Sequence, residues 1–182
     1  MVKQVDLRTE RLLLRAFRIT DALDVQRLAG DREVARTTLS IPHPYEDGMA
    51  ETWIASRAEA LTECSNLVYA IVELDGNQLL GCINVAIEQK HQRGEFGYWV
   101  GKPFWGRGFC TEAVGALVAY CFDTLGLYRI HARHLAINPA SGRVMEKIGM
   151  KREGCLREHI TKDGQLHDLV EYGILRSEYQ GR

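Results

Sequence analysis

No stretch of the 182-residue chain approaches the roughly 18 consecutive apolar residues of a membrane span. The opening Met1-Val2-Lys3-Gln4-Val5-Asp6 also lacks the apolar centre of a signal peptide, so neither a membrane nor a secreted protein is expected. No charge of one sign dominates. With 23 basic and 24 acidic side chains the formal net charge is −1, and the footprint of a nucleic-acid binder is missing. The five cysteines (Cys64, Cys82, Cys110, Cys121 and Cys155) are scattered, odd in number and never spaced C-x-x-C, which predicts reduced thiols in a cytoplasmic protein. There is no internal repeat and no low-complexity linker. A chain of this length with 46% hydrophobic residues reads as one domain over residues 1–182.

Several chemistries are missing too. There is no G-x-x-x-x-G-K-[ST] phosphate loop and no G-x-G-x-x-G with an acid at dinucleotide-binding distance. Metal ligation has no support: H-E-x-x-H is absent, and His131 and His134, three apart on an expected strand, point to opposite faces. No G-x-S-x-G or Cys–His constellation offers a covalent nucleophile.

What is present begins with an alternating strand over Arg11–Phe17 and a short helix carrying Leu23 and Leu28, capped by Thr20 or Asp21. From Ala35 to Asp47, prolines 42 and 44 and a lack of period predict a loop, followed by a helix on Ala50, Trp53, Ile54, Ala58 and Leu61. His43 and Tyr45 on that loop, with Trp53, either wall a substrate cleft or belong to a surface connection with Trp53 in the core. Leu67–Leu74 and Leu79–Ile87 read as a hairpin about Asp75-Gly76-Asn77, and Glu95–Val100 as a third strand. Period two puts Glu95, Gly97 and Trp99 on one face and Phe96, Tyr98 and Val100 on the other. Gly97 marks a bulge or a close approach by another group. Strand Tyr128–Ile137, a helix opened by Asn138-Pro139-Ala140-Ser141, and a hairpin about Asp163-Gly164 complete the chain. That hairpin would set His159 opposite Asp168. The element order fits neither a purely parallel α/β fold nor an all-β one, and predicts a mixed sheet of about seven strands with about four helices.

Between the third strand and the central helix lies Gly101–Ala113, GKPFWGRGFCTEA. The helix follows through Val114, Leu117, Val118, Cys121, Phe122 and Leu125 until Gly126 stops it. A strand that turns through glycines directly into a helix leaves backbone N–H groups unpaired in one concavity, with the helix dipole adding a favourable field. Gly106 and Gly108 lack the Cβ atoms that would hold a phosphate away, so the turn is a candidate anion site; glycines that merely turn the chain are the alternative.

WGRGFCTEA, a helix, a strand and then NPASGRVMEKIGM together resemble the GNAT superfamily of acetyl-CoA-dependent N-acetyltransferases, specifically its RimJ/RimL-like branch. LRTERLLLRAF near the start and GCLREHITKDGQLHDLVEY near the end extend the likeness over nearly the whole chain. The resemblance implies an α/β, GNAT-type fold, with a largely antiparallel mixed sheet and a splayed pair of central strands. It further implies that Trp105, Gly106, Arg107, Gly108, Phe109, Cys110 and Thr111 bind the coenzyme A pyrophosphate. By the same likeness, the backbone at Trp99 and Val100 pairs with the pantetheine arm, and Asn138 lies near that arm. The superfamily's Q/R-x-x-G-x-G/A motif is half kept, with Trp105 first and Cys110 last, as is frequent in the RimJ/RimL-like branch. The tyrosine that reprotonates the thiolate in many relatives is replaced by Met145. The branch's serine falls at Ser141, either that acid or a plain capping hydroxyl, and the glutamate that accompanies it falls at Ile160.

The implied reaction is direct attack of a neutral amine on acetyl-CoA. At pH 7 an α-amino group of pKa near 7.8 is about 14% neutral and a lysine near 10.4 about 0.04%. Glu95, a candidate base acting directly or through water, suits the easier substrate, the N-terminus of a protein of the ribosomal type. Aminoglycoside or polyamine acetylation and a non-catalytic acetyl-CoA-binding module are the alternatives. His134, and His159 with Asp168, are further candidates for the base. The same resemblance implies a homodimer as one possible assembly.

Overall fold

The computed structural model describes residues 4–60 and 66–181. Leu61 and Cys64 lie outside them. Among the described residues there are eight strands: β1 (Leu7–Arg8), β2 (Leu12–Arg15), β3 (Asn66–Glu73), β4 (Leu79–Glu88), β5 (Arg93–Val100), β6 (Arg129–Leu135), β7 (Lys151–Lys162) and β8 (Gln165–Leu175). They form one sheet in the order β1-β2-β3-β4-β5-β6-β8-β7, antiparallel throughout except between β5 and β6. The expectation of a mixed, largely antiparallel sheet therefore holds. The additional strand, β1, is too short to show alternation.

The helices are α1 (Ala22–Ala29), α2 (Arg32–Thr37), α3 (Met49–Ala60), α4 (Phe109–Ala119) and α5 (Pro139–Lys147). The central β3 and β4 carry near-continuous apolar runs because helices cover both faces: Leu67, Tyr69, Ile71, Leu80 and Ile83 are almost wholly buried. From α4 come Phe109, Val114 and Leu117, and the helix runs on through a π-helical turn, Tyr120–Thr124, until Gly126 at φ 68° stops it. Asp163 (φ 51°) and Gly164 (φ 74°) make the two-residue turn between β7 and β8.

Four local expectations need correction. Helix α2 intrudes on the loop expected from Ala35; its six residues show no apolar period, and Asp31 starts it by accepting the Glu33 N–H at 2.8 Å. Leu23 is 77% exposed, so α1 packs through Val25 and Leu28 instead. Asp21 does not cap α1: its carboxylate takes two hydrogen bonds from Arg15, at 2.8 and 2.9 Å, and one from the Arg18 N–H at 2.8 Å. Finally, the β7–β8 register slips between Leu156 and Ile160, so Asp168 accepts the Glu158 N–H at 2.8 Å rather than facing His159. No bulge occurs at Gly97, where β4 and β5 pair without interruption from Gly81–Val100 to Glu88–Arg93. A close approach is found there instead, since the Asn84 Oδ1 stands 3.1 Å from where a Cβ would be.

The Arg15–Asp21 pair, 5% and 7% exposed, ties β2 to the start of α1. Burial alone would raise the Asp21 pKa, but the bonds from Arg15 and Arg18 outweigh it and hold the carboxyl below its usual range. The stabilisation is thus complete above the usual carboxylate pKa and is lost as pH falls through the depressed value. Asp21→Ala should cost about 3–5 kcal/mol in urea denaturation, because it strands a buried guanidinium. A loss below about 1 kcal/mol would show that water reaches the pair.

Candidate active site

Strands β5 and β6 pair only where Arg93, Gly94 and Glu95 meet Arg129, Ile130 and His131. Beyond Glu95 they part. The gap exists because β5 leads into the glycine turn and α4, whereas β6 leads into α5, and the two helices start on either side of it. At the end of β5 the Trp105 indole N–H donates to the Val100 carbonyl at 2.6 Å and folds the turn back on the strand. Gly106 (φ 74°) and Gly108 (φ 82°) then adopt left-handed backbone. No side chain caps α4, so its first-turn N–H groups stay available to a ligand. A Cβ at Gly106 would meet no protein atom within 4 Å, so the backbone conformation demands glycine there, not crowding.

Glu112 holds this turn in place. Its Oε1 accepts from the Thr9 hydroxyl at 2.6 Å and the Arg11 N–H at 2.9 Å, and its Oε2 from the Arg11 Nε at 2.7 Å. Arg11 also donates to the Arg107 carbonyl at 3.1 Å and lies over the Phe109 ring, 4.6 Å from its centroid. Burial would raise the Glu112 pKa, but the bonds from Thr9 and Arg11 keep it below its ordinary value.

Two cavities flank the gap. One, of about 490 Å³, lies among β5, the glycine turn, α4 and α5, and is lined by Trp99, Val100, Trp105, Gly106, Gly108, Phe109, Cys110, Thr111 and Asn138. Of the residues expected to hold the cofactor, only Arg107 is not in this lining: its guanidinium lies over Phe109 and 3.6 Å from Glu73. Arg143 and Lys147 on α5, not anticipated from sequence, add positive charge to the same wall. Burial pushes the Cys110 thiol pKa up, so it stays protonated.

The second cavity, about 380 Å³, lies towards α1, α3, β3 and β4. Tyr45 and Trp53 line it. Trp53 is half-buried, edge-on to Phe17 at 4.9 Å. His43 does not line it; it is exposed, with Nδ1 3.2 Å from the Gly30 carbonyl. Glu95 is also outside the lining, paired with Arg133 at 2.7 Å.

Thr37, Thr38, Tyr98, Trp99, Asn138 and Ser141 line both cavities. Asn138 caps α5 through its side chain (3.3 Å to the Ser141 N–H) and donates to the Thr37 carbonyl at 3.1 Å. Ser141 is therefore not the capping residue. Its hydroxyl lies 2.8 Å from the Tyr98 phenol, which also reaches the Ser141 carbonyl at 3.0 Å. Tyr98, which period two puts on the face opposite Glu95, carries no sequence signal of this contact; burial drives its pKa upward, so the phenol is neutral. His134, 7% exposed, lines the second cavity. Its Nδ1 lies 2.8 Å from the Leu135 carbonyl, which makes Nδ1 the protonated nitrogen, and its buried Nε2 has no hydrogen-bond partner. Burial lowers the His134 pKa and favours that neutral form. Met145 is 1% exposed, in the core, too deep to serve the gap.

A sheet opened between two parallel strands, a glycine turn into a helix, and a hydroxyl where two cavities meet define a two-substrate transferase. The Acetyltransferase (GNAT) domain family matches residues 11–151, and the chain belongs to that family. It is an acyltransferase acting on nitrogen. YoaA of Bacillus subtilis (strain 168), an uncharacterised N-acetyltransferase, is 32% identical over 93% of this chain and 96% of its own. The [ribosomal protein uS5]-alanine N-acetyltransferase of Escherichia coli (strain K12) is 28% identical over 93% of this chain and 90% of its own. A GNAT-family acetyltransferase structure from Bacillus anthracis superposes with TM-score 0.85 at 27% identity, over 96% of this chain and 100% of that one.

Glu112→Gln should lower stability by about 1–3 kcal/mol, because the amide cannot accept all three bonds. Isothermal titration should show weaker acetyl-CoA binding as the turn loosens. Unchanged affinity together with unchanged stability would mean that Thr9 and Arg11 hold the turn without it.

Proposed function

We propose that the protein acetylates the N-terminal α-amino group of a peptide or protein, with acetyl-CoA as donor, in the manner of RimJ/RimL-like enzymes. The observation that carries this reading is the meeting of two cavities at Tyr98 and Ser141. The likeness to the uS5-alanine acetyltransferase supports the choice of acceptor. The residues fit the donor: uncapped N–H groups at the start of α4, with Arg143 and Lys147 beside them, suit a diphosphate, and the unpaired edge of β5 near Trp99 suits an amide-bearing arm. When bound, acetyl-CoA supplies an activated acetyl thioester.

The neutral His134, which lines the acceptor cavity and whose buried Nε2 has no hydrogen-bond partner, takes through water the proton that the amine must shed. Ser141 Oγ–H delivers a proton to the departing sulfur and is restored by the proton that the amine has shed, with the Tyr98 phenol holding the hydroxyl in place. Glu95 is the weaker base, since its ion pair with Arg133 favours a carboxylate already satisfied. An α-amine demands less of the base than a lysine does, in keeping with an imidazole of lowered pKa.

Thiol release from acetyl-CoA should be observed with N-terminal peptides. Binding without turnover across peptides, aminoglycosides and polyamines would instead mark a sensor. Ser141→Ala should reduce kcat by roughly 10²-fold. Because His134 is an effective base only when neutral, log kcat/KM should climb most steeply below its lowered pKa and less steeply from there to the amine pKa. His134→Gln should abolish the steeper part. An identical pH profile in that variant removes His134 from the mechanism.

A further inference from the structure

The charges around the acceptor cavity are unevenly placed. Among the described residues its lining holds Arg57, Arg133 and His134 but no Asp, Glu or Lys. Its remaining titratable groups are neutral: burial raises the Tyr45 phenol pKa and pushes the Cys82 thiol up to about 12. Two carboxylates among the described residues come near. Glu95 is tied to Arg133 at 2.7 Å, and Glu51, outside the lining, is close enough to contribute to the Tyr45 shift. Arg57 is different. Half-buried, it rests on the Ser56 hydroxyl at 3.0 and 3.3 Å and lies 5.9 Å from the Trp53 ring centroid, and among the described residues it has no carboxylate partner.

Building on the α-amino reading above, we infer that Arg57 holds a carboxylate side chain from the second or third residue of the acceptor peptide. The spacing fits. Arg57 adjoins Asn66 and Val68 on β3, which together line a small recess. Val68 pairs with Asn84 and Asn84 with Gly97, so the recess lies two strand spacings, roughly 10 Å, from β5, whose Gly97 and Tyr98 line the same cavity as Arg57. An extended peptide advances about 3.3–3.6 Å per residue, so an amine lying against β5 in that cavity brings the carboxylate of its second or third residue to the guanidinium. Partial burial limits screening of that contact, and a guanidinium can grip a carboxylate with two N–H groups at once. A polyamine, cationic along its length, meets repulsion on the same wall.

The test uses hexapeptides alike except for aspartate, asparagine or lysine at positions two and three, with acetyl-CoA and thiol detection. We expect kcat/KM to fall from aspartate through asparagine to lysine, by about tenfold overall, and the ratio to shrink when salt rises from about 0.05 to about 0.5 M. Arg57→Gln should bring the ratio towards one, and Arg57→Glu should invert it, with circular dichroism confirming that each variant is folded. Equal turnover of the three peptides, a salt-insensitive preference, or a preference retained in folded Arg57→Gln overturns the Arg57 assignment while leaving N-terminal acetylation standing. Turnover of a polyamine or aminoglycoside with none of any peptide overturns the α-amino reading itself, and Arg57's role with it.

Discussion

A single carboxylate, Glu112, joins parts of the chain a hundred residues apart. The Thr9–Arg11 turn between β1 and β2 and the first turn of α4 are held together by its two oxygens, each already engaged. The glycine turn has little else to fix it: Gly106 and Gly108 bring conformational freedom, and Trp105 to Gly108 are exposed. Arg11 extends the same hold to the Arg107 carbonyl and the Phe109 ring. Backbone donors can act as a preorganised anion cradle only if their direction is set before the ligand arrives. Here that direction is set from the opposite end of the sequence.

The second constraint is topological. Seven strand pairings can be satisfied in an antiparallel or parallel sheet of this order, but β5 and β6 share only three residue pairs before each turns towards its own helix. The unpaired edges would be a liability in an ordinary sheet, because backbone groups away from water need partners. In a transferase the same edges are where a ligand with amide groups can complete the pairing. The start of α4 and the side-chain cap of α5 both lie beside that opening.

Much of this could be read from the sequence. The strand-turn-helix of GKPFWGRGFCTEA, the Asn138 cap with Pro139, and the Asp163-Gly164 turn are local signals, each set by residues within a few positions, and each appears where expected. What escaped depends on distant partners. Asp21 looks like a helix cap until Arg15 folds against it. Glu95 looks like a free base until β6 brings Arg133 alongside, and Tyr98 looks like a plain strand residue until α5 sets Ser141 against it. His43 and Tyr45, two positions apart on one loop, separate because one turns to the Gly30 carbonyl and the other inward. Periodicity predicts which face a side chain takes, but not what waits there.

The two cavities share a wall at Thr37, Thr38, Tyr98 and Ser141, with α4 and α5 on one side and α1 and α3 on the other. The protein is in this sense a partition with a passage through it. Two reactants need not compete for one doorway or leave by it in turn, and one can stay seated while the other withdraws. Water entering from either side still has to pass a phenol and a hydroxyl already bonded to each other.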